Sequence, residues 1–448
     1  MAFSNRCKSL NLGINVEKTK FMCVNSNRFS SFSLYLDGKE VEQVRSLKWL
    51  GRVITASTSV NNQVSRLKRI AVPGKNLIKC LTPIKSGLVP KVALNFYKSF
   101  VRSKVEYANS TYADAPIGYN KKIQVILNDT LRRCLGLPPS APVHVRYALA
   151  GELPPLKRAE WLAAKELSRQ WLVNPRLRDD LMSGSVSKSS YCFVYEKHKA
   201  VFNLLGTDVS FCRHRNLHVE LSELGTTKNN VSTVQLKSIF VSRLRELQNS
   251  GFYLLATDAS VSDGRVGFAV HDPQKNVSFL YRVVGDFSST LGELLAIRQA
   301  VRMMVKLECK KIAILSDSMA ALRLINKKRT TNHIVAEIQN LMHNSKFESI
   351  KLSWVPSHVG LVYNEKADLA AKAAVRNGQD MHIKFTVEEG LRRIRQAIWR
   401  EWESEFSDIS QSKGKVFAEN GGKTINYKHS IINGDCKNYC NPCGFSSW

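Results

Sequence analysis

Three scarcities frame this chain. No window of it approaches the roughly 18 consecutive apolar residues of a membrane-crossing helix, and the opening Met-Ala-Phe-Ser-Asn-Arg-Cys-Lys has no apolar core of signal-peptide length. Neither secretion nor a membrane span is expected, and the reading is of an intracellular protein, nuclear or cytoplasmic. Cysteine is present without a framework: Cys7, Cys23, Cys80, Cys134, Cys192, Cys212 and Cys309 are scattered, which reads as reduced thiols. Acid is the third scarcity, with 37 Asp+Glu against 66 Lys+Arg and a net charge of +29. Such self-repulsion is offset by a polyanion, so nucleic acid is the partner expected.

With 448 residues, 44% of them hydrophobic, the chain is globular and too long for one core, so two or three domains are expected. Asn11 to Val24 is a β-rich run broken by Glu-Lys-Thr. Phe32-Ser-Leu-Tyr-Leu-Asp-Gly-Lys-Glu-Val follows, where Asp37-Gly38 signals a hairpin turn. Leu47-Lys-Trp-Leu-Gly-Arg-Val-Ile completes what reads as the edge of a small sheet. Helical spacing then takes over, with Val64, Leu67 and Ile70 on one face, and proline pairs at 138–139 and 154–155 separate the later helices. Lys79, Lys85, Lys91, Lys98, Arg102 and Lys104 are either phosphate contacts or solvated helix faces. Thr111-Tyr-Ala-Asp-Ala is read as a loop with Asp114 as a solvated acid. Thr233 to Leu247 again has helical spacing.

From Phe252 the acids acquire a scaffold. Three strand-like runs, Phe252 to Thr257, Val266 to His271 and Val277 to Val284, form a meander with Ser262-Asp263-Gly264 as its first turn. A helix from Leu291 to Leu307 carries Glu293, and an apolar strand, Lys311 to Ser316, stops at Asp317. Another strand, Ile350 to Val355, leads into Pro356-Ser-His-Val-Gly and a helix with Asn364-Glu-Lys-Ala-Asp368. Asp258 and Asp317 both fall at strand carboxyl ends, where open α/β sheets bind ligands. Asp263, Asp286 and Glu365 do not share such positions.

Thr-Asp258-Ala-Ser, Gly-Glu293-Leu, Ser-Asp317-Ser, Asn-Glu-Lys-Ala-Asp368 and Trp-Val-Pro-Ser-His358-Val-Gly resemble, in order, the motifs of type-1 RNase H. Leu-Gly-Ile-Asn with Lys-Thr, and Leu-Lys-Trp-Leu-Gly, resemble the end of the reverse-transcriptase palm of non-LTR retrotransposons. The resemblance implies an RNase H-like α/β fold with a mixed five-stranded sheet, preceded by a partial palm end and a mainly helical thumb and connection. The expected divisions are 1–60 palm-like, 61–176 thumb-like, 177–248 connection, 249–380 RNase H and 381–448 tail. It implies that Asp258, Glu293, Asp317 and Asp368 bind two Mg²⁺ or Mn²⁺ ions, with His358 assisting proton transfer or product release, and that the RNA strand of RNA–DNA hybrids is cut. The polymerase aspartates would lie before Met1. Tyr363 stands where the family has Gly, and Gly292 where Ala commonly precedes the glutamate.

Hard divalent ions take oxygen ligands, and a pair of them about 3.5–4 Å apart suits in-line phosphodiester displacement. Each acid alone also reads as a turn or helix-dipole residue. The alternatives are a remnant that grips nucleic acid without cutting it and an integrase-like nuclease. In the tail, Cys440-x-x-Cys443 with Cys436 resembles half a zinc knuckle; even with His429 as fourth ligand, zinc is not expected there.

Overall fold

The structure is a computed structural model that describes residues 2–24, 33–49, 52–56, 61–83, 87–107, 109–186, 189–207, 217–220 and 232–413. The tail cysteines and His429 lie outside the described residues. Contacts divide the chain into two compact units: Met1–Ala164, Ser187–Val194 and Ala397–Trp448 in one, Lys165–Val186 and Tyr195–Gln396 in the other.

The second unit is built on a sheet of seven strands: β1 (Leu217–Glu220), β2 (Tyr253–Ser262), β3 (Arg265–Asp272), β4 (Val277–Val284), β5 (Lys311–Ser316), β6 (Ser349–Trp354) and β7 (Gln379–Asp380). Their order across the sheet is β7-β4-β3-β2-β5-β6-β1. The meander β2-β3-β4 is antiparallel, and β5, β6 and β1 continue parallel to β2. The expected five strands form its centre, and the count is corrected to seven by one short strand at each edge. β1, a Leu-His-Val-Glu run, is held by backbone pairing with β6, while β7 contributes two residues beside β4.

The turn between β2 and β3 is the expected one, with Asp263 (φ 51°) and Gly264 (φ 66°) both left-handed as a tight hairpin demands. Five helices accompany the sheet: α1 (Thr233–Asn249), α2 (Ser289–Lys306), α3 (Met319–Ile325), α4 (His333–Asn344) and α5 (Val362–Asn377). Among these α4 was not anticipated, although Ile334, Val335, Ile338 and Met342 give it a buried stripe.

Alternation along the strands sends side chains to two cores. Leu255 of β2 and Ile312 and Ile314 of β5 pack with α2 and α4. Leu254, Ala256, Ala313 and Leu315 face the other way, where Leu236, Phe240, Leu244 and Leu247 of α1 cover them. α5 lies so close to β3 that a Cβ on Gly267 would come within 2.4 Å of the Val375 nitrogen. The alanines of α5, Ala367, Ala371 and Ala374, are fully buried and permit that approach.

In the first unit the strands are short. Lys20–Phe21, Lys39–Gln43 and Leu34–Leu36 form one sheet, with the expected turn at Asp37 (φ 51°) and Gly38 (φ 79°). The third apolar run does not extend that sheet, because Ser46–Trp49 and Arg52–Thr55 pair with each other as a separate antiparallel ribbon. Helices Asn61–Leu81 and Ile117–Cys134 pack around a π-helical turn, Tyr97–Arg102. A Cβ on Gly74 would meet the Phe100 carbonyl oxygen at 2.6 Å, so glycine sets how closely they approach. Asp114 is exposed and accepts a hydrogen bond from Ser190 Oγ at 2.5 Å. Lys79, Lys91 and Lys104 are exposed, whereas Lys98 and Arg102 are engaged by the buried Glu152.

Candidate active site

The last parallel pair between β2 and β5 is Thr257↔Ser316. Asp258 and Asp317 are therefore the next residues of neighbouring strands, side by side where β5 has ended. Glu293 comes from the first turns of α2. The side chain of Ser288 caps that helix by accepting from Leu291 N at 3.3 Å, while its own backbone N–H donates to Glu389 Oε1 at 3.0 Å. Glu389 belongs to the helix Val387–Ser412 and pins the end of α2 from which Glu293 projects.

These elements bring oxygens of Asp258, Glu293 and Asp317 within 4.8 Å of one another. One backbone group organises two of them: Ala259 N–H donates to Asp258 Oδ1 at 2.8 Å and to Glu293 Oε1 at 3.2 Å. Burial, then the charge of Asp317, pushes the Asp258 carboxyl up to about 7. Burial, then Asp258 and Asp317, holds Glu293 well above the usual carboxyl range. Three carboxylates concentrated in a desolvated corner repel one another, and proton retention is how such a cluster relieves that strain without a cation.

Whether a divalent cation suits this cluster is tested by its one orphaned atom. Glu293 Oε2 is buried and lacks a hydrogen-bond partner. Such an atom costs free energy unless something positive approaches it. The donor set is all oxygen, which suits Mg²⁺ or Mn²⁺ over softer metals. The residues fit.

The other two expected residues are not part of this cluster. Asp368, on α5, accepts at Oδ2 a hydrogen bond from Lys372 Nζ at 2.7 Å, although its charge still contributes to raising Asp258. His358 is exposed in the turn before α5, with left-handed backbone at φ 57°. Two turns along the same helix face as Lys372, Asn364 is buried and its Oδ1 has no hydrogen-bond partner.

Both departures from the family pattern are absorbed locally. A Cβ on Gly292 would stand 2.6 Å from Val266 Cγ1 and 2.8 Å from Ala259 Cβ, so alanine there would push α2 off the strands that Glu293 must reach. Tyr363 is partly buried against the core that α1 covers, with its hydroxyl 3.5 Å from Gln248 Nε2. Asp263 is a turn residue, Asp286 is bound by Arg392, and Glu365 is exposed at the start of α5.

Trp354 was given no role by sequence reasoning. Its Nε1–H donates to the Asp317 carbonyl oxygen at 3.0 Å. The motif Trp-Val-Pro-Ser-His contained the residue, but a bond spanning 37 positions leaves no local signal. Comparison with protein families matches residues 251–376 to RNase H, so this span is an RNase H domain. Comparison with curated proteins gives no match.

Proposed function

We propose that this protein hydrolyses the RNA strand of RNA–DNA hybrids with the help of divalent cations, as a type-1 RNase H. The observation that carries the reading is the convergence of Asp258, Glu293 and Asp317 within 4.8 Å, with Glu293 Oε2 buried and unpartnered, inside a span that matches RNase H.

Asp258, Glu293 and Asp317 would hold the cations, and Asp368 would join them on release from Lys372. When bound, such cations activate a water and stabilise the leaving oxygen of an in-line displacement. The chain's own contributions are orientation and charge. The Ala259 amide aims two carboxylates at one point, and the close approach permitted by Gly292 brings Glu293 into range. His358, on an exposed turn, is suited to carrying protons between substrate and solvent. Selection of an RNA strand would rest on 2′-hydroxyl contacts and groove shape, with the chain's net charge of +29 favouring the phosphates.

The finer setting we propose is the carboxyl-terminal part of a non-LTR retrotransposon reverse transcriptase. The Asp37-Gly38 hairpin followed by basic helices supports that order. An in-frame Tyr-x-Asp-Asp in the coding sequence upstream of Met1 is expected, and its absence from an extended reading frame counts against the setting.

The function is tested by incubating folded protein with a labelled hybrid and Mg²⁺ or Mn²⁺. RNA cleavage that Asp317→Asn abolishes, with salt-sensitive hybrid binding retained, is the expected result. Intact RNA under both metals, with Asp317→Asn binding as wild type does, would leave the gripping remnant as the correct reading.

A further inference from the structure

We infer that Trp354 is a positioning residue for Asp317, and that α1, which lies before the RNase H span, holds Trp354 in place. The inference rests on the hydrolase reading above.

The peptide of Asp317 stands where β5 has ended and α3 has not begun. Its carbonyl oxygen accepts from Trp354 Nε1 at 3.0 Å and from Met319 N at 3.2 Å. On either side, Val355 N–H donates to the Ser316 carbonyl at 3.0 Å, and Ser318 N–H to Ser316 Oγ at 3.2 Å. The direction in which the Asp317 carboxylate leaves the chain follows from the orientation of this peptide. Repulsion from Asp258 and Glu293 pushes that carboxylate away from the cluster, and the indole bond to its own backbone resists the peptide rotation that would relieve it.

Trp354 is itself braced. Its ring meets Phe240 of α1 edge to face, with centroids 6.0 Å apart and planes at 77°. Phe240 is fixed because α1 buries Leu236, Phe240, Leu244 and Leu247 against β2, β5 and the loop after β6. Ser232 and Gln235 cap the start of α1 reciprocally. The line from α1 through Phe240 and Trp354 to Asp317 runs through packed side chains and one hydrogen bond. Residues outside 251–376 thus belong to the machinery that shapes the site.

The test uses the full chain and Trp354→Phe, which keeps an aromatic ring against Phe240 and removes the N–H. Mn²⁺ binding is measured by calorimetry beside kcat, KM and melting temperature. Expected is about fivefold weaker Mn²⁺ binding, equivalent to about 1 kcal/mol, with kcat lowered, KM for the hybrid held and melting temperature little changed. Phe240→Leu, which keeps the indole N–H but removes its edge-on neighbour, should weaken Mn²⁺ binding in the same direction by about twofold; this variant carries the test should Trp354→Phe fail to fold. Wild-type Mn²⁺ affinity in the folded variant, or losses no larger than those of Leu236→Ala, a plain destabilisation of the same helix, would overturn the inference and leave the hydrolase reading standing. A wild-type chain that binds no Mn²⁺ would overturn both.

Discussion

Buried charge is handled in opposite ways by the ion pairs of the first unit and by the acidic cluster of the second. In the first, several buried and half-buried charges meet their opposites: Glu152 takes Arg102 and, at 3.3 Å, Lys98; Glu106 receives Arg158 through two bonds of 2.8 and 3.1 Å. Lys157, only 4% exposed, sits between Glu401 and Glu405. In the second unit the groups that perturb Asp258 most strongly after burial are themselves acidic, and Glu293 is raised by the same acids. Paired buried charges hold elements together. A buried cluster of one sign costs stability in the isolated fold, and that cost is offset by retained protons or by a cation that joins it.

The largest effect that breaks this contrast is chemical. Asp258→Asn removes one ligand from the cluster while keeping its shape, and hybrid cleavage is expected to fall about a thousandfold or more, about 4 kcal/mol of barrier. Glu152→Gln is the mirror experiment in the first unit. It leaves Arg102 with Glu106, at 3.6 Å, as its remaining acidic partner among the described residues, so thermal or denaturant unfolding should report a loss of about 2–3 kcal/mol, with cleavage by the folded protein unaltered. A cleavage defect in Glu152→Gln at a temperature where it is fully folded would refute the separation of roles.

Proton linkage sharpens the comparison at a smaller magnitude. The folded Asp258 carboxyl titrates at about 7 against an ordinary value of 3.8, so between those limits the folded protein binds more protons than the unfolded chain. The sign follows: the stability associated with this group is fully present below the unfolded value and is lost as pH rises through the folded one. In chelator, the unfolding free energy should fall by on the order of 2–4 kcal/mol between about pH 4 and 7, and the melting temperature should fall with it. Mg²⁺ added at the upper end should restore it. Asp258→Asn should flatten the profile and melt higher than wild type in chelator at about pH 8. A wild-type profile that rises across this range would contradict the like-charge reading.

How much of this was legible depended on the range over which each feature is encoded. The hairpins at Asp37-Gly38 and Asp263-Gly264 were readable because two left-handed residues in succession need that chemistry. Asp317 was readable because it follows a strand end; Asp258, expected at one, lies within β2, which runs on to Ser262 paired with β3, and the register of Thr257 beside Ser316 is what sets the two acids side by side. β1 was hard to read, since its Leu-His-Val-Glu alternation is only four residues long and what holds it is backbone pairing at an edge. The stripe of α4 is present in Ile334, Val335, Ile338 and Met342, but over only 12 residues. The bond from Trp354 to Asp317 and the anchoring of α2 by Glu389 join residues 37 and 101 positions apart, so only the folded chain reveals them. The departures at Gly292 and Tyr363 are of the same kind: the space each occupies is set by Val266 in one case and by the core beneath α1 in the other.

The smallest predicted effect concerns Asp368, the one expected site acid that is handled as the first unit handles its charges. Lys372 lies one helical turn on and donates to its Oδ2 at 2.7 Å, but the pair is partly exposed, with side-chain accessibilities of 56% for Lys372 and 23% for Asp368. Exposed pairs of this spacing are weak and screened by salt. Lys372 therefore competes with a divalent cation for Asp368 instead of blocking it. Lys372→Met should lower the Mg²⁺ concentration for half-maximal cleavage by about twofold at low salt, with the difference vanishing at high salt. Titrating Mg²⁺ against cleavage at low and high KCl separates the outcomes. A salt-independent shift would point to a direct role for Lys372 on the substrate, and no shift at either salt would mean that Asp368 does not compete for the cation at all, leaving Asp258, Glu293 and Asp317 to hold it without a fourth acid.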